Sequence, residues 1–231
     1  LVLKSGRTGK GREATASHTG SMSGEDALYE AAFRQAGAVR ARSLDELVDL
    51  ARVFSTQPLP RGNRLGIATS SGSLGALATD AAVEAGLLLP PLGEETTRRM
   101  RAIAPRWMNV RNPLDVGPSG AYLPAMQALL EDPGIDMVLS IMVIPFATFR
   151  EFMIRGVSVK DFLGSTAGLR ELAPEKPLVA CSIGDQGFLD DLDRAVGPDV
   201  PVLHSPERAA RALAALHAYR CARERIAARN G

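Results

Sequence analysis

Met137-Val138-Leu139-Ser140-Ile141-Met142-Val143-Ile144 is apolar at every position but Ser140. A run of this length without alternation fits a central parallel strand covered on both faces. Working outward, the same grammar repeats on either side. Upstream, Leu65–Thr69 reads as a strand, and Ser70-Ser71-Gly72-Ser73-Leu74-Gly75 as a tight loop. A small-residue helix then runs to Ala85 and stops at Gly86. A short strand is expected at 87–89, a helix over Glu94–Ile103, and a turn at Asn112-Pro113-Leu114-Asp115 leading to a helix at 123–131. Downstream, helix signals return after Pro145, although 155–168 is poorly defined. A strand at 178–183, a helix at 188–196 and a last strand at 200–203 follow. Ser205-Pro206-Glu207 then supplies an N-cap, a proline at the first helical position and a first-turn acid for a long terminal helix. Strands alternating with helices from 64 to 231 define an α/β parallel sheet of flavodoxin-like, doubly wound type.

Residues 1–54 read as strand, polar run, helix, strand, helix. The helix at 25–36 stops at Gly37, a natural C-cap. A strand is expected at 38–40. Ser43 caps a second helix with Glu46 at the capping-box position and Leu44, Leu47, Leu50, Ala51 and Phe54 on one face. Residues 55–63, with two prolines and a glycine, form a linker. An internal echo ties the two parts together. Leu1-Val2-Leu3-Lys4-Ser5-Gly6 resembles Leu178-Val179-Ala180-Cys181-Ser182-Ile183-Gly184, and Ala38–Ser43 with its helix resembles Val200–Ser205 with its helix. Residues 1–54 therefore read as the C-terminal half of one such domain, and 64–231 as a complete second copy. The chain opens within a strand pattern, with no initiator Met and no signal peptide, and reads as cut from something longer.

Composition narrows the function. The chain has 231 residues, 45% hydrophobic and 23% charged, with a net charge of +1. That balance argues against nucleic acid or an anionic membrane as partner, and no apolar run reaches the ~18 residues of a membrane span. Cys181 and Cys221 suit packing or surface thiols in a reducing cytoplasm and give no metal-ligand spacing. No metal site is expected.

The polar run from Ser5 to Gly24 centres on Ala16-Ser17-His18-Thr19-Gly20-Ser21. Gly, Ser and Thr suit a loop that presents a nucleophile, with Gly20 and Gly24 permitting movement. An imidazole of ordinary pKa, about 6.5, is largely neutral and nucleophilic near pH 7. On composition alone, a solvated loop in which His18 has no role is the favoured account.

The segment Lys4-Ser5-Gly6-Arg7 with Ala16–Ser21 resembles the phosphohistidine loop of the NDP-forming acyl-CoA synthetases, relatives of succinyl-CoA synthetase. The resemblance extends over essentially the whole chain. It implies the end of a first succinyl-CoA synthetase-like flavodoxin-like domain and all of a second. It further implies a CoA-binding Rossmann domain and an ATP-grasp module on the same or another chain, and an oligomer. The implied reaction interconverts acyl-CoA, phosphate and ADP with a small carboxylic acid, CoA and ATP, using Mg2+. His18 stands at the position of the phosphohistidine, and the carboxylate that steadies its other nitrogen in the family lies ahead of Leu1. No cofactor is expected on this piece alone, which should be inactive.

Two places could receive the phosphoryl group at a helix N-terminus. One is Ser70, Ser71, Gly72 and Ser73. The other is Pro145-Phe146-Ala147-Thr148, where succinyl-CoA synthetase has paired glycines and this chain departs from them. A plain strand-to-helix turn explains the first, and a turn entering a strand explains Asn112–Asp115. His204, His217 and the arginines of the terminal helix (Arg208, Arg211, Arg220, Arg223, Arg225, Arg229) read as packing or surface. An alternative function is a non-catalytic acyl-CoA-sensing or assembly module of the same fold. A dehydrogenase-like nucleotide-binding domain is disfavoured, since no G-x-G-x-x-G follows the strand at Leu65–Thr69.

Overall fold

The computed structural model describes residues 1–19, 24–117, 119–144, 154, 168–196 and 199–230. Its contacts divide into two compact units: Leu1–Ala51 with Ala218–Gly231, and Arg52–His217. The sequence reading places residues 218–231 in the second domain; the contacts give them to the first unit.

In the first unit β1 (Val2–Leu3) pairs in parallel with β2 (Arg40–Ala41), Val2 opposite Arg40. Between them run α1 (Gly9–Thr19) and α2 (Asp26–Ala36), and α3 (Leu44–Thr56) follows. α2 closes at Gly37, whose φ of 66° is left-handed, with Gly37 N–H donating to Arg34 O and Ala38 N–H to Phe33 O. This double bond is the Schellman closure. Spending Ala38 N–H there delays the strand expected at 38–40, which begins at Arg40. At α3, Glu46 N–H donates to Ser43 Oγ at 3.1 Å, and the Glu46 carboxylate accepts from Arg42 N–H at 2.6 Å. That is a capping box whose return arm reaches one residue further back. Arg40 ties β2 to α2 through Asp26 at 2.5 Å and Glu30 at 2.9 Å. Its guanidinium hydrogen bond holds the Asp26 carboxyl below the usual carboxylate range.

The polar run expected as a loop contains a helix, α1. Thr8 starts it, its Oγ1 accepting from Gly11 N–H at 3.1 Å while its carbonyl accepts from Arg12 N–H. Lys10 and Glu13 pair along the helix at 2.7 Å. Local capping and one ion pair thus override a composition that disfavours helix.

The second unit is built on β3 (Leu65–Thr69), β4 (Leu114–Asp115), β5 (Met137–Ile144), β6 (Leu178–Gly184) and β7 (Val202–Leu203). All pair in parallel in the order β4-β3-β5-β6-β7. Taken by appearance this is 2-1-3-4-5, the flavodoxin-like order. β5 is the central strand, paired from Leu65–Met137 to Thr69–Ile141 on one side and from Val138–Leu178 to Ile144–Gly184 on the other. Every residue of β3 is buried, as is most of β5. The helices are α4 (Gly72–Glu84), α5 (Glu94–Ile103), α6 (Tyr122–Glu131), α7 (Leu169–Leu172), α8 (Gln186–Val196) and α9 (Pro206–Asn230).

One apolar cluster joins Leu114, Met126, Leu129, Ile135 and Val138; another joins Phe188, Leu192 and Val202 to Ile144. At the amino end of the sheet, Arg64 Nε and Nη2 each donate to the Asp136 carboxylate at 2.8 Å. The strand expected at 87–89 is reduced to a single bridge, Arg64 to Leu88. The helix signals after Pro145 and the stretch 155–167 lie outside the described residues.

Before β4 begins, a side chain does a strand's work. Asn112 accepts from Ile67 N–H at 3.1 Å and donates to Leu65 O at 2.8 Å and Pro90 O at 3.1 Å. Its amide supplies β3 with the pairing that a backbone neighbour would give. The Asn112–Pro113 peptide is cis.

Candidate functional site

His18 lies in the last turn of α1 and is exposed. No residue from Gly9 to His18 is buried, so little packing holds this helix. Hydroxyls of Thr15 and Ser17 donate to the Gly11 and Ala14 carbonyls within it. Arg12, 31% exposed at its side chain, reaches Glu25 at 3.1 Å. Gly24 precedes α2, against the Tyr29 ring. Gly20 and Ser21 lie outside the described residues.

The second candidate belongs to the other unit, at the carboxyl ends of β3, β4 and β5. In open α/β sheets ligands bind at this edge, where the chain switches direction across the sheet. Ser70 N–H donates to Ile141 O at 3.0 Å, and Ser70 Oγ accepts from Val143 N–H at 2.8 Å. These bonds fasten the loop to the central strand. Thr69 Oγ1 donates to Ser71 O at 2.7 Å and accepts from Ser71 N–H at 3.0 Å, closing the turn. Gly75 lets α4 lie close to β3: a Cβ there would stand 2.9 Å from Thr69 Cγ2.

Ser71 is the N-cap of α4 but makes no side-chain capping bond; its Oγ lies 3.2 Å from Ser73 Oγ. The first-turn N–H groups are therefore not spent on a cap, and Gly72 and Ser73 are exposed. Such a terminus suits an anion.

Sequence reasoning passed over Asp115 as part of this place. Pairing of Thr69 with Asp115 brings its carboxylate beside the start of α4, where a Cβ on Gly72 would meet Oδ2 at 2.6 Å. Oδ1 accepts from Gly117 N–H at 3.1 Å. The exposed Trp107 ring lies over Gly117. The loop thus offers two hydroxyls and a helix terminus with a carboxylate on one flank. The second phosphate candidate, Pro145–Thr148, lies outside the described residues.

The remaining titratable groups read as structural. His204 is exposed, and His217 is half-buried on α9. Burial pushes the Cys181 thiol up to about 12. Among the described residues no group of three His, Cys, Asp or Glu side chains could hold a metal ion, and no helix is long and apolar enough to cross a membrane.

Residues 1–54 match the domain family described as succinyl-CoA ligase like flavodoxin domain. Acetate–CoA ligase [ADP-forming] I subunit alpha of Pyrococcus furiosus is 32% identical over 222 residues, covering 95% of this chain and 46% of that protein. Acetate–CoA ligase [ADP-forming] II of Archaeoglobus fulgidus is 42% identical over 147 residues, covering 61% of this chain and 22% of that protein. A solved structure superposes with a TM-score of 0.85 and 27% identity, covering 100% of this chain and 48% of that one. It is the dinucleotide forming acetyl-coenzyme A synthetase 1 of Ca. Korarchaeum cryptofilum, in complex with phosphate and ADP.

The chain is thus built of succinyl-CoA synthetase-like, flavodoxin-like α/β structure, a partial domain and a larger complete one. It is an ADP-forming acyl-CoA synthetase-like protein, homologous to part of those multidomain enzymes. It spans less than half the length of the curated relatives it matches.

Proposed function

We propose that this chain is the phosphohistidine-bearing part of an ADP-forming acid–CoA ligase. The observation that carries the reading is the match to acetate–CoA ligases over nearly the whole chain, together with an exposed His18 within the Lys4–Arg7 and Ala16–Ser21 motif. In this reading residues 1–54 are the C-terminal half of a first flavodoxin-like domain, 55–63 a linker and 64–231 a second domain, whose last stretch, 218–231, shares a compact unit with the first. A CoA-binding Rossmann domain and an ATP-grasp module supply the other sites, in an oligomeric enzyme of the cytoplasm.

The chemistry follows from the imidazole. Phosphate displaces CoA from acyl-CoA, giving an acyl phosphate. A neutral ring nitrogen of His18 attacks the phosphorus, the N–P bond forms and the P–O bond to the acyl group breaks, releasing the carboxylate. The phosphoryl group then passes to the terminal oxygen of ADP, giving ATP and restoring the imidazole. An exposed side chain on a helix with no buried residue up to His18 suits a carrier that must leave one site for another. The loop Ser70–Ser73, with its uncapped terminus, suits the receipt of an anionic phosphoryl group. Mg2+ would accompany the nucleotide on the grasp module.

The test uses the full-length enzyme with its grasp module, incubated with ATP and magnesium. Acid-labile phosphate is expected on the peptide containing His18 and absent in His18→Asn. That variant should keep the wild-type melting temperature, since surface substitutions of this kind change stability by about 0.5 kcal/mol or less. No label on folded, assembled wild-type enzyme refutes the relay and leaves the sensing or assembly module as the reading.

A further inference from the structure

Glu25 occupies the N-cap of α2 with φ −59° and ψ 135°, yet its carboxylate makes no capping bond. It faces Arg12 Nη1 at 3.1 Å instead. The polar contacts of Lys10–Glu13, Thr15–Gly11 and Ser17–Ala14 run along α1 itself, whereas Arg12–Glu25 joins that helix to α2. An 11-residue helix with glycines at 9 and 11 is marginal in isolation. Without a buried residue from Gly9 to His18, α1 depends on such a tie.

We infer that Arg12 and Glu25 are positioning residues for the phosphoryl relay: the ion pair pins α1 to the entrance of α2, and its release frees the helix that carries His18. The inference rests on the phosphohistidine reading above. An N-cap residue that leaves its own helix uncapped to reach another helix spends its charge on relative position rather than on local stability. Arg12 and Glu25 touch no reacting atom; they set how often His18 is free to travel. Side-chain exposures of 31% and 72% mean that water competes for the pair, so its hold is loose and reversible by design of exposure alone. An ion pair of this kind shifts an equilibrium by roughly two- to fivefold and weakens as salt screens it.

The experiment measures amide hydrogen exchange of peptides covering residues 9–19 in the full-length enzyme, together with single-turnover labelling of His18 from ATP. Wild type is compared with Arg12→Gln, Glu25→Gln, Arg12→Lys and the charge-swapped double variant Arg12→Glu/Glu25→Arg. At low salt, about 0.02 M, either Gln variant should exchange roughly two- to fivefold faster in α1. At about 0.5 M salt the wild type should rise to meet them. The swapped pair and Arg12→Lys should restore slow exchange, and the labelling rate should change by the same factor without a change in KM for ATP. A helix weakened by lost propensity alone would show neither the salt convergence nor the rescue by swapping. Unchanged exchange in both Gln variants overturns the pinning role. Wild-type enzyme without label on His18 overturns the relay reading, and the positioning role with it, even if the exchange pattern holds.

Discussion

Replacing Asn112 by leucine isolates the bonds that a side chain makes in place of a strand. Leucine keeps the same branched side-chain skeleton, with bulkier methyl ends, but can neither donate nor accept. Ile67 N–H then loses its partner, and so does the Leu65 carbonyl, on residues that are both 0% exposed. The third partner, Pro90 O, sits on a half-buried residue that water can reach. A buried polar group left unpaired costs about 1–3 kcal/mol. Two such groups give a loss of about 2–6 kcal/mol, which for a chain of this size lowers Tm by roughly 4–24 °C. Calorimetry and urea unfolding would measure it, with Asn112→Ala as a companion that also leaves a void.

Asn112→Asp sharpens the argument because it keeps the acceptor for Ile67 N–H while turning a carboxylate toward two carbonyl oxygens. That environment raises the folded pKa above the unfolded value of about 3.9. The folded state then binds the extra proton in the interval between the two values. Stability should therefore fall as pH rises through that interval, and recover on acidification within it. If Asn112→Leu unfolds within about 0.5 kcal/mol of wild type, the amide is not doing a strand's work, and the reasoning fails.

Two further outcomes follow from named groups. Hydrogen bonds from Arg64 hold the buried Asp136 carboxyl below the usual carboxylate range. Stability from this pair should be fully present above that range and lost as pH falls through the lowered value, a component that Asp136→Asn should lack in a stability titration. Burial pushes the Cys181 thiol up to about 12, so native protein at pH 8 should leave that side chain unalkylated by iodoacetamide until urea unfolds it, as peptide mass spectrometry can show.

What the sequence discloses depends on how local the determining contacts are. Met137–Ile144 announces itself because burial on both faces needs an unbroken apolar run, and the strand has those bounds. The closure at Gly37 and the capping box at Ser43 and Glu46 are equally local, and both form. α1 was concealed by its composition, since the Thr8 cap and the Lys10–Glu13 pair are small contributions that a glycine- and threonine-rich segment masks. Asn112 and Asp115 act on partners in β3 and α4 that only the folded sheet brings near, so no spacing along the chain could reveal them. His18 was legible as a motif, and Ser70–Ser73 as a strand-to-helix turn. The carboxylate flanking that turn was not.

The make-up of the first unit has a consequence for synthesis. It takes Leu1–Ala51 from one end of this chain and Ala218–Gly231 from the other, with Arg52–His217 inserted between. Gly37, on the early segment, meets Ile226 on the late one. A ribosome moving at about 5–20 residues per second needs roughly 8–33 s to make the inserted unit. For that interval the segment that carries His18 has been made while Ala218–Gly231, which belong to the same compact unit, have not. The two segments of the first unit can therefore meet only after the contiguous second unit has been made, and that unit can fold ahead of their meeting.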